Sequence, residues 1–252
     1  MKSKVIFICR DSLESKYIAK SLLENGYLDS LVIESGEIAR KNKIKRIIKN
    51  NSIFMLPVIF INLVVLLIYN KISANYLKKN IDSEYANIPN ILNIKDINEI
   101  ECIDYISTFD NPIVIIFGTA IVKHEFLKNT SCKIIINIHN GIVPNYRNVH
   151  SDFWAMYNKD YNNIGTTLME INEGVDTGKI LDKRCIDYQN DNIFEVKLKN
   201  LILSIDLIIV YLDKILNKNE YINKLIQNES IAHSYNTPTT INLFEFLIRK
   251  GK

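Results

Sequence analysis

Glycine is scarce in this chain. Only eight occur in 252 residues, and five of them, Gly118, Gly141, Gly165, Gly174 and Gly178, fall between 118 and 178. Glycine is the residue of choice where backbone must adopt unusual geometry, so the cluster marks a stretch with that need. Cysteine is equally sparse: Cys9, Cys102, Cys132 and Cys185 are far apart and form no CxxC pair. Neither a zinc site nor a disulfide framework is indicated, no metal is expected, and a reducing cytoplasm suits the chain. Charge of one sign is also missing. A formal net charge of +3 and a pI near 8.5 fall short of the concentrated patch of a nucleic-acid binder, so no nucleic-acid partner is expected. The opening MKSKVIFICRDS lacks the long apolar region and small-residue cleavage site of a signal peptide and reads as a first strand. No internal repeat is visible, and the bias toward Ile, Asn and Lys is spread evenly.

What is present suits one sizeable domain with an appendage: 47% of residues are apolar and 23% charged. VIFIC at 5–9 is an apolar run of strand length, LESKYIAKSLLENG at 13–26 has helical spacing, and LVIES at 31–35 is a second strand. With IVIIF at 113–117 and KIIINI at 133–138, these predict an α/β fold, an open and mostly parallel twisted sheet with helices on both faces. After the loop 139–150, SDFWAMYNKD reads as helix, and GTTLMEINEGVDTGKILDKRCIDY as two strands around a turn at 173–178. Apolar residues at spacings of three and four over 192–216 predict a long helix on the sheet, followed by a turn at Thr237 and Pro238 and a short helix near 240–249. Residues 75–100 read as a connecting loop.

The segment 41–71 needs separate treatment. KNKIKRIIKN is basic and amphipathic, and IFMLPVIFINLVVLLIY is apolar for 17 residues. At 1.5 Å per residue the apolar run reaches only about 25 Å against a hydrocarbon core of roughly 30 Å. Pro57 as a helix start and Asn62 in the middle shorten it further. The expectation is buried or half-buried helices covering the sheet, with a peripheral membrane contact through 41–71 as the alternative and a span disfavoured.

Chemistry concentrates at the strand end KIIINIHN. Residues two apart on a strand point the same way, so Asn137 and His139 present an amide and an imidazole to one side. In open α/β sheets the ligand crevice lies outside the carboxyl ends of the strands, where these residues and His150 fall. The pair alone is equally a strand leaving the core, and Asp176 alone is an ordinary turn residue. Their context is more specific. NIHNGIVPNYRNVH followed by GTTLMEINEGVDTGKIL resembles the folate-dependent formyltransferase family, which includes glycinamide ribonucleotide, methionyl-tRNA and sugar-nucleotide formyltransferases. The family's pattern of Asn-x-His, a Leu-Pro-x-Tyr-Arg-Gly-like loop, Gly-Thr and Asp-x-Gly is matched by Asn137, His139, Pro144, Tyr146, Arg147, Gly165, Thr166, Asp176 and Gly178. Val143 replaces the usual Leu. Asn148 replaces the usual Gly, a residue able to adopt positive φ cheaply, although Asn tolerates that region better than most.

The resemblance implies a catalytic domain over 1–190 with a C-terminal helical extension, 191–252, packed on it. It also implies 10-formyltetrahydrofolate as formyl donor, with Phe117, Gly118, Thr119, Ala120 and Ile121 lining the pterin pocket. Amine attack on a formyl carbonyl creates an oxyanion and requires proton transfers. Asn137 would donate to the oxyanion, His139 would move the proton, and the Asp176 carboxylate would support positive charge on the imidazole and hold a relaying water. Tyr146, Arg147, His150 and Trp154 are candidates for the acceptor side. YRNVHSDFWAMYN and the ending SIAHSYNTPTTINLFEFLIRKG look like the sugar-nucleotide members. The chain looks too short for an added tRNA-binding domain, so a nucleotide-linked amino sugar used in surface glycan or lipopolysaccharide assembly is the expected acceptor. Methionyl-tRNA or glycinamide ribonucleotide formylation, formate-releasing hydrolysis and a membrane-surface protein without turnover are the alternatives. Self-association into a homodimer is compatible with the sequence.

Overall fold

A computed structural model describes residues 3–38, 41, 45, 55–82, 88, 90–218, 220 and 222–250. The apolar runs become the strands β1 (Val5–Arg10), β2 (Ser30–Glu34), β3 (Ile91–Ile94), β4 (Ile113–Phe117) and β5 (Ile134–His139). β7 (Gly165–Glu170) and β8 (Ile180–Cys185) come after the two-residue strand β6 (Arg147–Asn148). Seven strands form one sheet in the order β3-β2-β1-β4-β5-β7-β8. All neighbours from β3 to β5 are parallel, whereas β7 is antiparallel to both β5 and β8. The expected open, mostly parallel α/β sheet is therefore present.

Both faces of the central strands are buried, as their unbroken apolar runs require. Val5, Phe7, Leu31, Ile113 and Ile115 face the helices α1 (Leu13–Glu24) and α6 (Ile193–Leu216), which contribute Ile18, Leu22, Leu201, Ile205 and Ile208. Ile6, Ile8, Val114 and Ile116 face α3 (Ile100–Ser107) and α4 (His124–Asn129), which contribute Cys102, Ile106 and Phe126. Burying each such side chain contributes about 1.5–3 kcal/mol. α1 starts where the Ser12 hydroxyl accepts the Ser15 N–H. α6 starts on a reciprocal capping box between Asn192 and Glu195, which satisfies two of the donors a helix end leaves open. The short helix α5 (Ser151–Tyr157) and the C-terminal α7 (Thr240–Lys250) build a third cluster around Phe153 and Phe246. β6 pairs with β9 (Ser234–Tyr235) in a second, two-stranded sheet that ties the loop after β5 to the C-terminal segment.

Two expectations need correction. The stretch 75–100 is not simply a loop: it holds the end of a long helix and the sheet-edge strand β3, in which Ile91 and Asn93 are exposed and only Ile94 is buried, and which lies among Asn and Asp. The apolar segment is not a half-buried cover either. Residues 42–44 and 46–54 lie outside the described residues, but from Leu56 to Asn80 the chain is one helix, α2, in which only Ser73 and Leu77 are buried. Its apolar residues lie all round the axis, so only one stripe can meet the domain while the remainder faces outward.

Candidate active site

β4 and β5 run parallel with Ile116 opposite Asn137, so the loop after Phe117 and the end of β5 emerge side by side at the carboxyl edge of the sheet. The adjacent strands β1 and β4 lead their chains in opposite directions across the sheet, which opens a crevice there. β7 runs antiparallel to β5, with Glu170 opposite Ile136, so the turn of the β7–β8 hairpin leaves the sheet beside the first half of β5 and folds back far enough for Asp176 to reach the side chains of Asn137 and His139. At that turn Asp176 takes φ +53°, and Gly178 lies so close to β7 that an added Cβ would sit 1.7 Å from the Glu170 carbonyl oxygen.

Asn137, His139 and Asp176, distant in sequence, meet here. Asn137 Nδ2 donates to Asp176 Oδ1 at 3.0 Å, and the Asn148 N–H donates to Asp176 Oδ2 at 2.8 Å. A carboxylate can only accept, so this contact fixes which end of the Asn137 amide faces Asp176 and leaves its second N–H available. His139 Nδ1 stands 3.5 Å from Asp176 Oδ2, while Nε2 lies 2.8 Å from the Tyr146 carbonyl oxygen. That carbonyl has no proton to give, so Nε2 carries one and Nδ1 is the atom able to take or return another. The His139 and Asp176 side chains are 9% and 11% exposed, which strengthens their interaction over one in water. Gly141 makes the arrangement possible, because a Cβ there would come within 2.5 Å of His139 Nε2.

The loop between these groups is held by its own contacts. Its Val143–Pro144 peptide is cis, and Asn148 adopts φ +73°, the left-handed geometry that the family's glycine would reach without cost. Arg147 is buried, and its guanidinium donates to Gln227 Oε1 at 2.7 Å and Glu229 Oε1 at 2.6 Å. Gln227 in turn donates to the carbonyls of Asp176 and Gly178 at 2.9 and 2.7 Å. Arg147 thus braces the turn that carries Asp176. Tyr146 is enclosed with its hydroxyl on Asp160, and burial pushes its pKa far up. Trp154 donates to the Asn236 carbonyl and stacks on Tyr235.

Of the four acceptor-side candidates, His150 alone lines the cavity beside His139. That cavity, of about 190 Å³, is bounded by Glu14, Leu77, His139, Asn140, Asn148, His150, Ser151, Asp152 and Lys197. Lys197 is not legible in the sequence as a site residue: it lies in the periodic pattern of α6, with Nζ 4.6 Å from the centre of the Tyr69 ring. On the other side of the sheet edge, Phe117 ends β4 and Gly118, Thr119, Ala120 and Ile121 follow as a turn in which Gly118 and Ile121 are exposed and the other three of the five are half-buried. Glu34, only 1% exposed, accepts the Ala120 N–H at 2.9 Å and the Ile97 N–H at 3.0 Å while pairing with Arg10 at 2.8 Å. The only sequence signal for Glu34 is a carboxylate ending an apolar strand. Among the described residues no group of three or more His, Cys, Asp or Glu side chains is disposed to hold a metal ion.

The chain belongs to the formyl transferase family, whose sequence pattern matches residues 64–196, just over half of its length. Methionyl-tRNA formyltransferase from Clostridium acetobutylicum is 33% identical over 108 residues, 42% of this chain and 34% of that protein. The match thus spans about a third of that relative's length. A sugar N-formyltransferase from Shewanella has the same fold over 98% of this chain and 87% of its own, with a TM-score of 0.59 at 16% identity. An N-formyltransferase from Helicobacter canadensis, solved with folinic acid and dTDP-3-aminofucose, covers 91% of this chain and 70% of its own, with a TM-score of 0.58 at 15% identity.

Proposed function

We propose that this protein transfers a formyl group from 10-formyltetrahydrofolate to the amine of a nucleotide-linked amino sugar. The observation that carries the formyl-transfer reading is the contact set of Asn137, His139 and Asp176 beside the cavity. When the amine attacks the formyl carbon, the carbonyl oxygen becomes an oxyanion, and the second N–H of Asn137 is free to meet it. The attacking nitrogen becomes cationic and loses a proton. His139 Nδ1 receives that proton, directly or through a water, with Asp176 stabilising the imidazolium. The C–N bond to the folate then breaks, and its nitrogen takes a proton as it leaves. Phe117 to Ile121 would supply backbone groups to the pterin, in a loop whose path Glu34 fixes through Ala120.

The acceptor assignment is supported by the mixed charge of the cavity. Lys197 and His150 suit a phosphate, while Glu14 and Asp152 suit the hydroxyls and amine of a sugar. The fold shared over most of the Shewanella and Helicobacter canadensis proteins supports it too. Methionyl-tRNA formylation is the second reading, favoured by the sequence identity to the Clostridium protein. The test is a parallel acceptor screen with 10-formyltetrahydrofolate, in which mass spectrometry reads a gain of one formyl group. More efficient formylation of methionyl-tRNA or glycinamide ribonucleotide than of every amino-sugar nucleotide tried refutes the acceptor. No formylation of any of them refutes formyl transfer.

A further inference from the structure

An extended apolar surface lies outside the chemistry proposed above. On α2, Phe60, Ile61, Leu67 and Ile68 are 55–68% exposed, and on α7 Phe244 and Leu247 are 63% and 69% exposed. The two helices are joined where Asn62 Oδ1 accepts the Thr240 N–H at 2.8 Å and the Thr240 hydroxyl, so their apolar residues form one platform. Exposed apolar area of this extent marks an interaction site.

Charge identifies the occupant. Between Glu37 and Asp82 the sequence holds nine Lys and Arg and no Asp or Glu. Among the described residues of that stretch, Lys41, Lys45, Lys71, Lys78 and Lys79 are all exposed. A second copy of the chain would set this cationic border against itself, whereas anionic headgroups complement it and acyl chains accept the apolar residues between. α2 is long and apolar enough to cross a bilayer. Its inward stripe is nevertheless committed to the domain: Tyr69 packs on Phe194 with ring centres 5.8 Å apart, Leu77 is buried, and Asn62 caps α7. A span would break all three contacts, while lying in the plane of the interface breaks none.

We propose that the α2–α7 platform docks the protein in-plane on an anionic lipid bilayer. The test is flotation of the whole protein with phosphatidylcholine vesicles, with and without phosphatidylglycerol, at low and high salt. Wild-type protein should float with the phosphatidylglycerol vesicles and be released by salt. A Phe60→Asp, Leu67→Asp double variant should bind them about tenfold or more weakly while keeping the wild-type thermal midpoint and oligomeric state. Absence of wild-type binding, binding indifferent to phosphatidylglycerol, or equal binding by a folded double variant overturns the proposal. So does a dimer that the variant dissociates, or membrane retention that resists carbonate, which indicates a span. Binding is read without substrate, so its failure leaves the enzymatic reading intact.

Discussion

Replacing Asp176 with Asn keeps the side chain's size and removes its charge, and the two donors facing it determine how the site responds. Both carboxylate oxygens are engaged, by Asn137 Nδ2 at 3.0 Å and by the Asn148 N–H at 2.8 Å. An amide at 176 must turn its NH2 toward one of them. Turned toward Asn148, it leaves a backbone N–H without an acceptor, at a cost of about 1–3 kcal/mol. Turned toward Asn137, it is satisfied only when Asn137 reverses its own amide, and the group then offered to the reacting carbonyl is an oxygen. The second arrangement costs less in stability and removes the oxyanion donor, whose loss is worth about 10²–10³ in kcat. His139 also loses the carboxylate 3.5 Å from Nδ1, but this loss belongs to the same network and does not simply add. Asp176→Asn should therefore reduce kcat by about 10³, with a smaller change in KM and a thermal midpoint near that of the wild type. Formyl transfer to the best acceptor from the screen, monitored by mass spectrometry, measures it. A folded variant whose kcat stays within about tenfold of wild type refutes the role given to the Asp176–Asn137 contact.

Glu34→Ala removes the acceptor of the Ala120 and Ile97 N–H groups, so KM for the formyl donor should rise several-fold while KM for the acceptor holds. An unchanged donor KM would detach Glu34 from the folate side. Arg147→Met leaves the buried Gln227 carbonyl oxygen short of its donors and should cost about 2 kcal/mol, or roughly 4–8 °C in thermal midpoint. A midpoint equal to that of the wild type would contradict the bracing role. Burial, with Glu34 contributing, pushes the Cys102 thiol up to about 12, so it carries almost no thiolate near pH 8. Alkylation of native protein at that pH should label the exposed Cys185 and spare Cys102, and early labelling of Cys102 would show that the face beneath β1 and β4 opens.

The trio proposed as catalytic, Asn137, His139 and Asp176, is legible in the sequence because two signals coincide. Strand periodicity alone places Asn137 and His139 on one face, and the resemblance of the Asp-x-Gly turn to the formyltransferase pattern implies the third member. Glu34 and Lys197 offer no such coincidence. Each looks locally ordinary, a carboxylate after an apolar strand and a lysine on an amphipathic helix, and acquires its position only when strand order sets β2 beside β1 and α6 over the cavity. Tyr146, Arg147 and Trp154 illustrate the opposite failure. The pattern marks them as part of the site loop, but position in a motif does not say whether a side chain faces the ligand or anchors the loop that does. For Arg147 the deciding partners, Gln227 and Glu229, lie some eighty residues further on.

α2 misleads for a different physical reason. Counted in the sequence as 17 apolar residues, the run falls short of a bilayer's thickness and suggests a place in the core, whereas the helix that carries it extends over 25 residues and is long enough to cross. Length, however, decides only whether a helix can cross, whereas the distribution of apolar residues around the axis decides how much of it a domain can cover. A helix packed on a domain surface buries one stripe of about 100°, and the residues between 55 and 70 carry no charged side chain with which to face water on the remainder. A run apolar on every side, attached to a domain with only one face to offer, must leave apolar surface over. Such a run requires a second apolar environment besides the core, and its cationic, carboxylate-free borders indicate the sign of the charge that environment carries.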